Sequence, residues 1–235
     1  MMYETTDSLF TGICDAIRKK DGTTALINHQ DIPERISAIS GCNNEREDFT
    51  SAFYTKHNAG LRIENMVVSG FSDTASIYTP DAFMPADRPW VIQAKFRLSE
   101  NSIKSRNFIV GTPADKSNCP FLSIRDDNTA MGAGVPTNDG TTWYQQTAKY
   151  DFSVDTDYWV RYIRDKSDYT LLISTNGFDY ENIIQFEYAD EPYQDTESKL
   201  RFGGYGTSSV NTLFGSIDLK ETYIKIGDEI WWGKG

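Results

Sequence analysis

The side chains best placed for chemistry in this chain are aromatics and carboxylates beside tight turns. In "TNDGTTWY", Trp143 and Tyr144 follow the Asp139-Gly140 turn closely. An aromatic face packs against the C–H side of a sugar ring, and Asp or Asn oxygens accept from its hydroxyls. Trp143, Tyr144 and Asp139 are therefore candidates for holding a glycan. Tyr205, in the glycine-rich "RFGGYG", is a fourth, because a glycine-rich strand can border a ligand groove. The plainer reading of each is structural: turn carboxylates form turns, and strand aromatics pack.

Other chemistries find little support. There is no G-x-S-x-G elbow for an activated serine. "RFGGYG" does not open a helix, so it lacks the context of a phosphate cradle. The cysteines, Cys14, Cys42 and Cys119, are odd in number and widely spaced, and the histidines, His29 and His57, are far apart. That pattern argues against a disulfide framework or a zinc site and suits synthesis in a reducing cytoplasm. Cys119-Pro120 precedes a strand, where a packed cysteine is expected rather than a nucleophile.

The elements that position these residues fall into two kinds. Residues 6–20 have helical period, with Leu9, Ile13 and Ile17 on one face; Gly22 stops the helix after the basic turn Arg18-Lys19-Lys20. A second helix starts at Asp31 with Glu34 at capping-box spacing, and Ile32, Ile36 and Ile39 mark its face. Such a hairpin is too small to fold alone. Its six apolar side chains are expected to form an assembly face, docked on its own body or on another chain. Residues 1–41 thus read as a helical adaptor and 42–48 as a polar linker.

From Phe49 the period becomes two. In "RPWVIQAKFRL", Trp90, Ile92, Ala94, Phe96 and Leu98 face one way, and Val91, Gln93, Lys95 and Arg97 the other. "YWVRYIRD", "YTLLIST", "NIIQFEY" and "TYIKIGDEIWW" alternate similarly between turn signals. Residues 49–235 are expected to form a mainly β, two-sheet antiparallel jelly-roll sandwich, with Trp90, Phe96, Ile163 and Ile217 in the core. The formal net charge of −11, without a basic stripe, argues against a nucleic-acid partner. No run approaches the roughly 20 apolar residues of a membrane span, and the opening "MMYETTDSLF" lacks a basic n-region.

Two stretches carry a resemblance. "WVRYIRDKSDYTLLISTNGFDY" (159–180) resembles the laminin G-like branch of the concanavalin A-like lectin/glucanase superfamily, and "LFGSIDLKETYIKIGDEIWW" (213–232) is similar to the last strands of such domains in bacteriophage proteins. "LFTGICDAIRKKDGTTALINHQDIPERISAI" (9–39) resembles a module of phage and prophage tail and baseplate proteins. The resemblance implies a non-enzymatic tail-associated protein, made in a bacterial cytoplasm and carried on a virion or tail particle. Its partners would be other tail proteins, or itself, through the hairpin, and a cell-surface carbohydrate. It also implies a place for calcium among Asp126, Asp127 and Asn128. The alternatives are a ligand-free structural decoration and a polysaccharide-cleaving hydrolase on the same fold. A retaining hydrolase of this fold needs E-x-D-x-x-E on one strand, two of its carboxylates about 5–5.5 Å apart. The chain has no such string, and "EYADEPYQDTE" (187–197) reads as a solvated loop.

Overall fold

The structure is a computed structural model, and it describes residues 55–57, 60–112, 117–125, 127–206 and 211–233. The expected helices, the linker and all six residues of the assembly face lie outside the described residues, as does Asp126.

Two antiparallel sheets form a sandwich. The first runs, edge to edge, β1 (Thr55–His57), β4 (Ser76–Tyr78), β13 (Arg201–Phe202), β6 (Asn107–Gly111), β7 (Phe121–Ile124), β8 (Ala130–Pro136) and β9 (Trp143–Lys149). The second runs β12 (Glu181–Glu187), β11 (Asp168–Ser174), β10 (Asp157–Asp165), β5 (Trp90–Leu98), β14 (Gly215–Ile226), β3 (Val67–Ser69) and β2 (Arg62–Glu64), with β15 (Glu229–Gly233) also paired to β14. No helix among the described residues is long and apolar enough to cross a membrane.

Alternation decides which side chains meet between the sheets. On β5, Trp90, Ile92, Ala94, Phe96 and Leu98 are all buried, as the period of two predicts. Their partners on β14, Ile217 opposite Phe96 and Ile224 opposite Ile92, are buried as well. Rings bridge the sheets: Phe202 stacks on Trp232 at 4.7 Å, and Tyr144 meets Phe186 at 5.6 Å. The expected core place of Ile163 is corrected. On β10 the inward phase is Tyr158, Val160, Tyr162 and Arg164, so Ile163 stands half-buried on the outer face. Arg164 can occupy the inward end because its guanidinium donates to the carbonyls of Ala86 and Lys166.

Candidate functional site

The site grows from the outer face of the first sheet. Registry places Phe108, Ser123, Gly132 and Thr147 in one row across β6–β9, and Phe121, Gly134 and Gln145 in the next. The alternate residues Leu122, Ile124, Met131 and Ala133 pack between the sheets, so alternation gives these two rows the outer face, on which Phe108, Phe121 and Ser123 are themselves buried. The Phe121 ring lies over Gly134, where an added Cβ would come within 2.5 Å of it. Gly132 sits between the hydroxyls of Ser123 and Thr147, each 3.5 Å from where a Cβ would be.

Four rings gather at one end of this face. Trp143 stands edge-on to Phe121 at 5.1 Å and to Tyr205 at 5.2 Å, and Tyr205 stacks on Phe108 at 5.1 Å. Phe108 and Phe121 are buried beneath, while Trp143 and Tyr205 are half-buried and reach solvent. The Trp143 indole N–H donates to the Cys119 carbonyl at 2.9 Å. The Arg106 guanidinium lies over Phe108 at 5.1 Å and donates to the Ser123 hydroxyl at 3.0 Å. The face thus combines fixed ring surfaces with exposed donors and acceptors from Arg106, Gln145 and Thr147.

Of the four residues proposed for a glycan, the structure brings together Trp143 and Tyr205. Tyr144 points the other way, as its neighbour on a strand must; it stacks on Tyr188 at 5.1 Å at the edge of the sandwich. Asp139 is spent on its turn, accepting from the Thr137 hydroxyl at 2.6 Å and from the Thr141 amide at 3.0 Å. Those bonds hold its carboxyl below the usual carboxylate range, the Thr137 bond contributing most. The Asp127 and Asn128 side chains diverge. Asp127 is exposed and accepts from the Thr129 amide, whereas Asn128 is buried and donates to the Ser102 hydroxyl at 2.7 Å. Among the described residues, no group of three His, Cys, Asp or Glu could hold a metal ion.

In the loop 187–197, Asp195 binds within its own turn, to the Ser198 and Tyr193 hydroxyls, while Asp190 and Glu191 are exposed. The Cys119 thiol is buried and donates to the Lys199 carbonyl, and burial pushes it well above its ordinary value. A thiol so raised is a poor nucleophile.

Sequence reasoning missed Phe108, Phe121 and Arg106. "RNFIVG" and "PFLSI" read as ordinary strands, and only the pairing of β6 with β7 shows that these residues share a face. The available signal was the G-x-G of "AMGAGV", which leaves one strand face without side chains.

No protein-family model matches the chain, and no curated protein matches it. Solved structures do. The botulinum neurotoxin serotype D binding domain aligns at 12% identity with a TM-score of 0.53; the alignment covers 74% of this chain and 43% of that one. The Ruminococcus gnavus IT-sialidase CBM40 bound to α2,3-sialyllactose aligns at 14% identity over 63% of this chain and 79% of that one, with a TM-score of 0.46. Mouse laminin α1 domains LG4-5 align at 12% identity over 74% and 40%, with a TM-score of 0.44. The likeness is one of fold, carried by the toxin domain, of which this chain spans less than half the length.

Proposed function

We propose that the sandwich is a non-enzymatic carbohydrate-binding domain whose ligand lies on the outer face of the first sheet. The observation that carries this reading is the pair Trp143 and Tyr205, at 68° to each other and 5.2 Å apart. Two fixed aromatic surfaces at this angle offer platforms to successive apolar faces of a sugar chain. Arg106, Gln145 and Thr147 then supply hydrogen bonds to its hydroxyls. Rigidity helps, because ring surfaces held before binding lose little freedom on binding. Support for a binding rather than cleaving role is the dispersal of the 187–197 carboxylates, which are exposed or tied into their own loop.

The finer reading places this domain on a phage or prophage tail particle, with residues 1–41 as its assembly adaptor. What supports that is the resemblance of residues 9–39 and 213–232. A glycan array with purified full-length protein, with and without Ca²⁺, tests the binding reading. Retention of at least one glycan class by the native chain, lost in a Trp143→Ala chain that melting curves show to be still folded, is expected. No retention of any glycan would overturn it.

A further inference from the structure

The outer face of the second sheet holds a different construction. Strand β14 pairs with β5 at Asp218 opposite Lys95 and again at Tyr223 opposite Gln93. Residues 219–222 therefore stand against Ala94 alone and leave the ladder. An excursion of this kind re-aims side chains. Here it lays Glu221 over the face, where its carboxylate accepts from Lys95 Nζ at 2.7 Å and from Trp159 Nε1 at 2.6 Å. Lys95 also lies 3.2 Å from Asp218 and 3.7 Å from Asp157, and Arg97 donates to Asp157 at 2.7 Å.

Beside this network are two adjoining clefts that share Arg97 and Ser216. One is about 240 Å³ and is walled by Val67, Lys95, Asp157 and Asp218. The other is about 380 Å³, with Phe71, Phe214 and Asp155 around a floor that includes Ser69, Gly70 and Gly215. Gly215 lets β14 approach β5 closely here, since an added Cβ would collide with the Arg97 carbonyl.

We propose that this trough is a second ligand site, on the opposite face of the sandwich from the first, and that it takes a neutral oligosaccharide. The charges argue for neutrality. An anionic ligand would meet the carboxylates of Asp155, Asp157, Asp218 and Glu221, and a cationic one would have to compete with Lys95 and Arg97 for the carboxylates they already hold. A polyhydroxylated ring accepts from the ammonium and guanidinium and donates to the remaining carboxylate lone pairs with every pair intact. The shape argues for a chain rather than one ring: the smaller cleft falls below the roughly 300–1,000 Å³ of drug-sized pockets, and the pair continues past the Ser216 waist. Val67, Phe71 and Phe214 offer apolar walls for ring C–H groups.

The test is titration of the ¹⁵N-labelled full-length chain with maltotriose, cellotriose and chitotriose, reading the Trp159 indole and Arg97 Nε–H signals. A saturable shift of both with at least one trisaccharide is expected. It should weaken at least about tenfold in Ser216→Tyr, which plugs the waist, and persist in Trp143→Ala. Either of two results would overturn the second site: no saturable shift with any of the three, or a shift that Ser216→Tyr leaves unchanged. Loss of the shift in a folded Trp143→Ala chain would reduce the two faces to one site. A silent Trp143 signal beside a responding Trp159 would show that these trisaccharides occupy the second face alone.

Discussion

Trp143 donates its indole N–H to the carbonyl of Cys119 at 2.9 Å, tying the first residue of β9 to the segment that leads into β7. The bond crosses β8 and sets the angle at which the indole meets Phe121 and Tyr205. Trp143→Phe keeps a ring but loses the donor, and leaves the Cys119 carbonyl to water. The expected result is a modest loss of stability, about 1 kcal/mol, and a weakened glycan affinity. Trp143→Ala should remove binding to the first face altogether. Calorimetric titration with whichever glycan the array identifies, alongside melting curves, separates the two effects. Equal affinities for the native, Phe and Ala chains would show that the ring is only packing.

Gly134 is the second lever on the same site. The Phe121 ring occupies the space its side chain would fill, and Phe121 in turn supports Trp143 edge-on. A methyl group at 134 must push the buried ring outward. Gly134→Ala is expected to cost about 1–3 kcal/mol as overpacking and to shift Trp143 fluorescence. Gly132→Ala meets only ordinary contacts, at 3.5 Å, and should be far milder. Similar melting temperatures for the two variants would contradict the packing described.

The strands were legible in the sequence because a sheet with one buried face writes its period directly. The alternation at 90–98 gave the correct inward set on β5 without any tertiary knowledge. On β10 the same reasoning failed at Ile163, since "YWVRYIRD" is apolar in both phases; Tyr162 took the inward place because its ring meets Trp90 at 5.1 Å. The site was less legible. Trp143 and Tyr205 are 62 positions apart, and what joins them is the pairing of β6 with β7, which no local pattern encodes. The excursion at 219–222 left a trace: Lys220-Glu221-Thr222 is three polar residues in a row, and the apolar phase moves from Ile217 and Leu219 to Ile224 and Ile226. Only the registry with β5 shows that residues there leave the ladder.

Acid should expose the role of Glu221. Partial burial works to raise its carboxyl, but hydrogen bonds from Lys95 and Trp159 outweigh that and hold it below the usual range. An unfolded Glu titrates near about 4.3. Because the folded value is lower, the unfolded chain takes up the proton first. The stabilisation is present above that pH and is lost as pH falls through the folded value. Lys95 runs the opposite way: burial opposes its charge, yet bonds to Glu221 and Asp218 raise it. Its contribution is present below about pH 10.4 and is lost as pH rises through the folded value. Glu221→Gln keeps an acceptor for Trp159 and removes the charge. Its melting temperature should fall modestly at neutral pH, since the pair is partly exposed, and the gap to the native chain should close in acid. A gap undiminished in acid would refute the assignment.

Tyr162 offers a test of the core itself. It is fully buried, packed edge-on against Trp90, and its hydroxyl has no hydrogen-bond partner among the described residues. Burial pushes its phenol well above the ordinary value. An unsatisfied buried hydroxyl costs about 1–3 kcal/mol, and deleting it leaves a void smaller than a methyl group. Tyr162→Phe should therefore leave the melting temperature unchanged or raise it by about 2–4 °C per kcal/mol recovered. Tyr158 is the control. It is buried on the same strand, but its hydroxyl accepts from the Ser153 amide at 2.8 Å, so Tyr158→Phe should lower the melting temperature. If both substitutions destabilise equally, the Tyr162 hydroxyl has a hydrogen-bond partner, and the purely packed environment described for it is wrong.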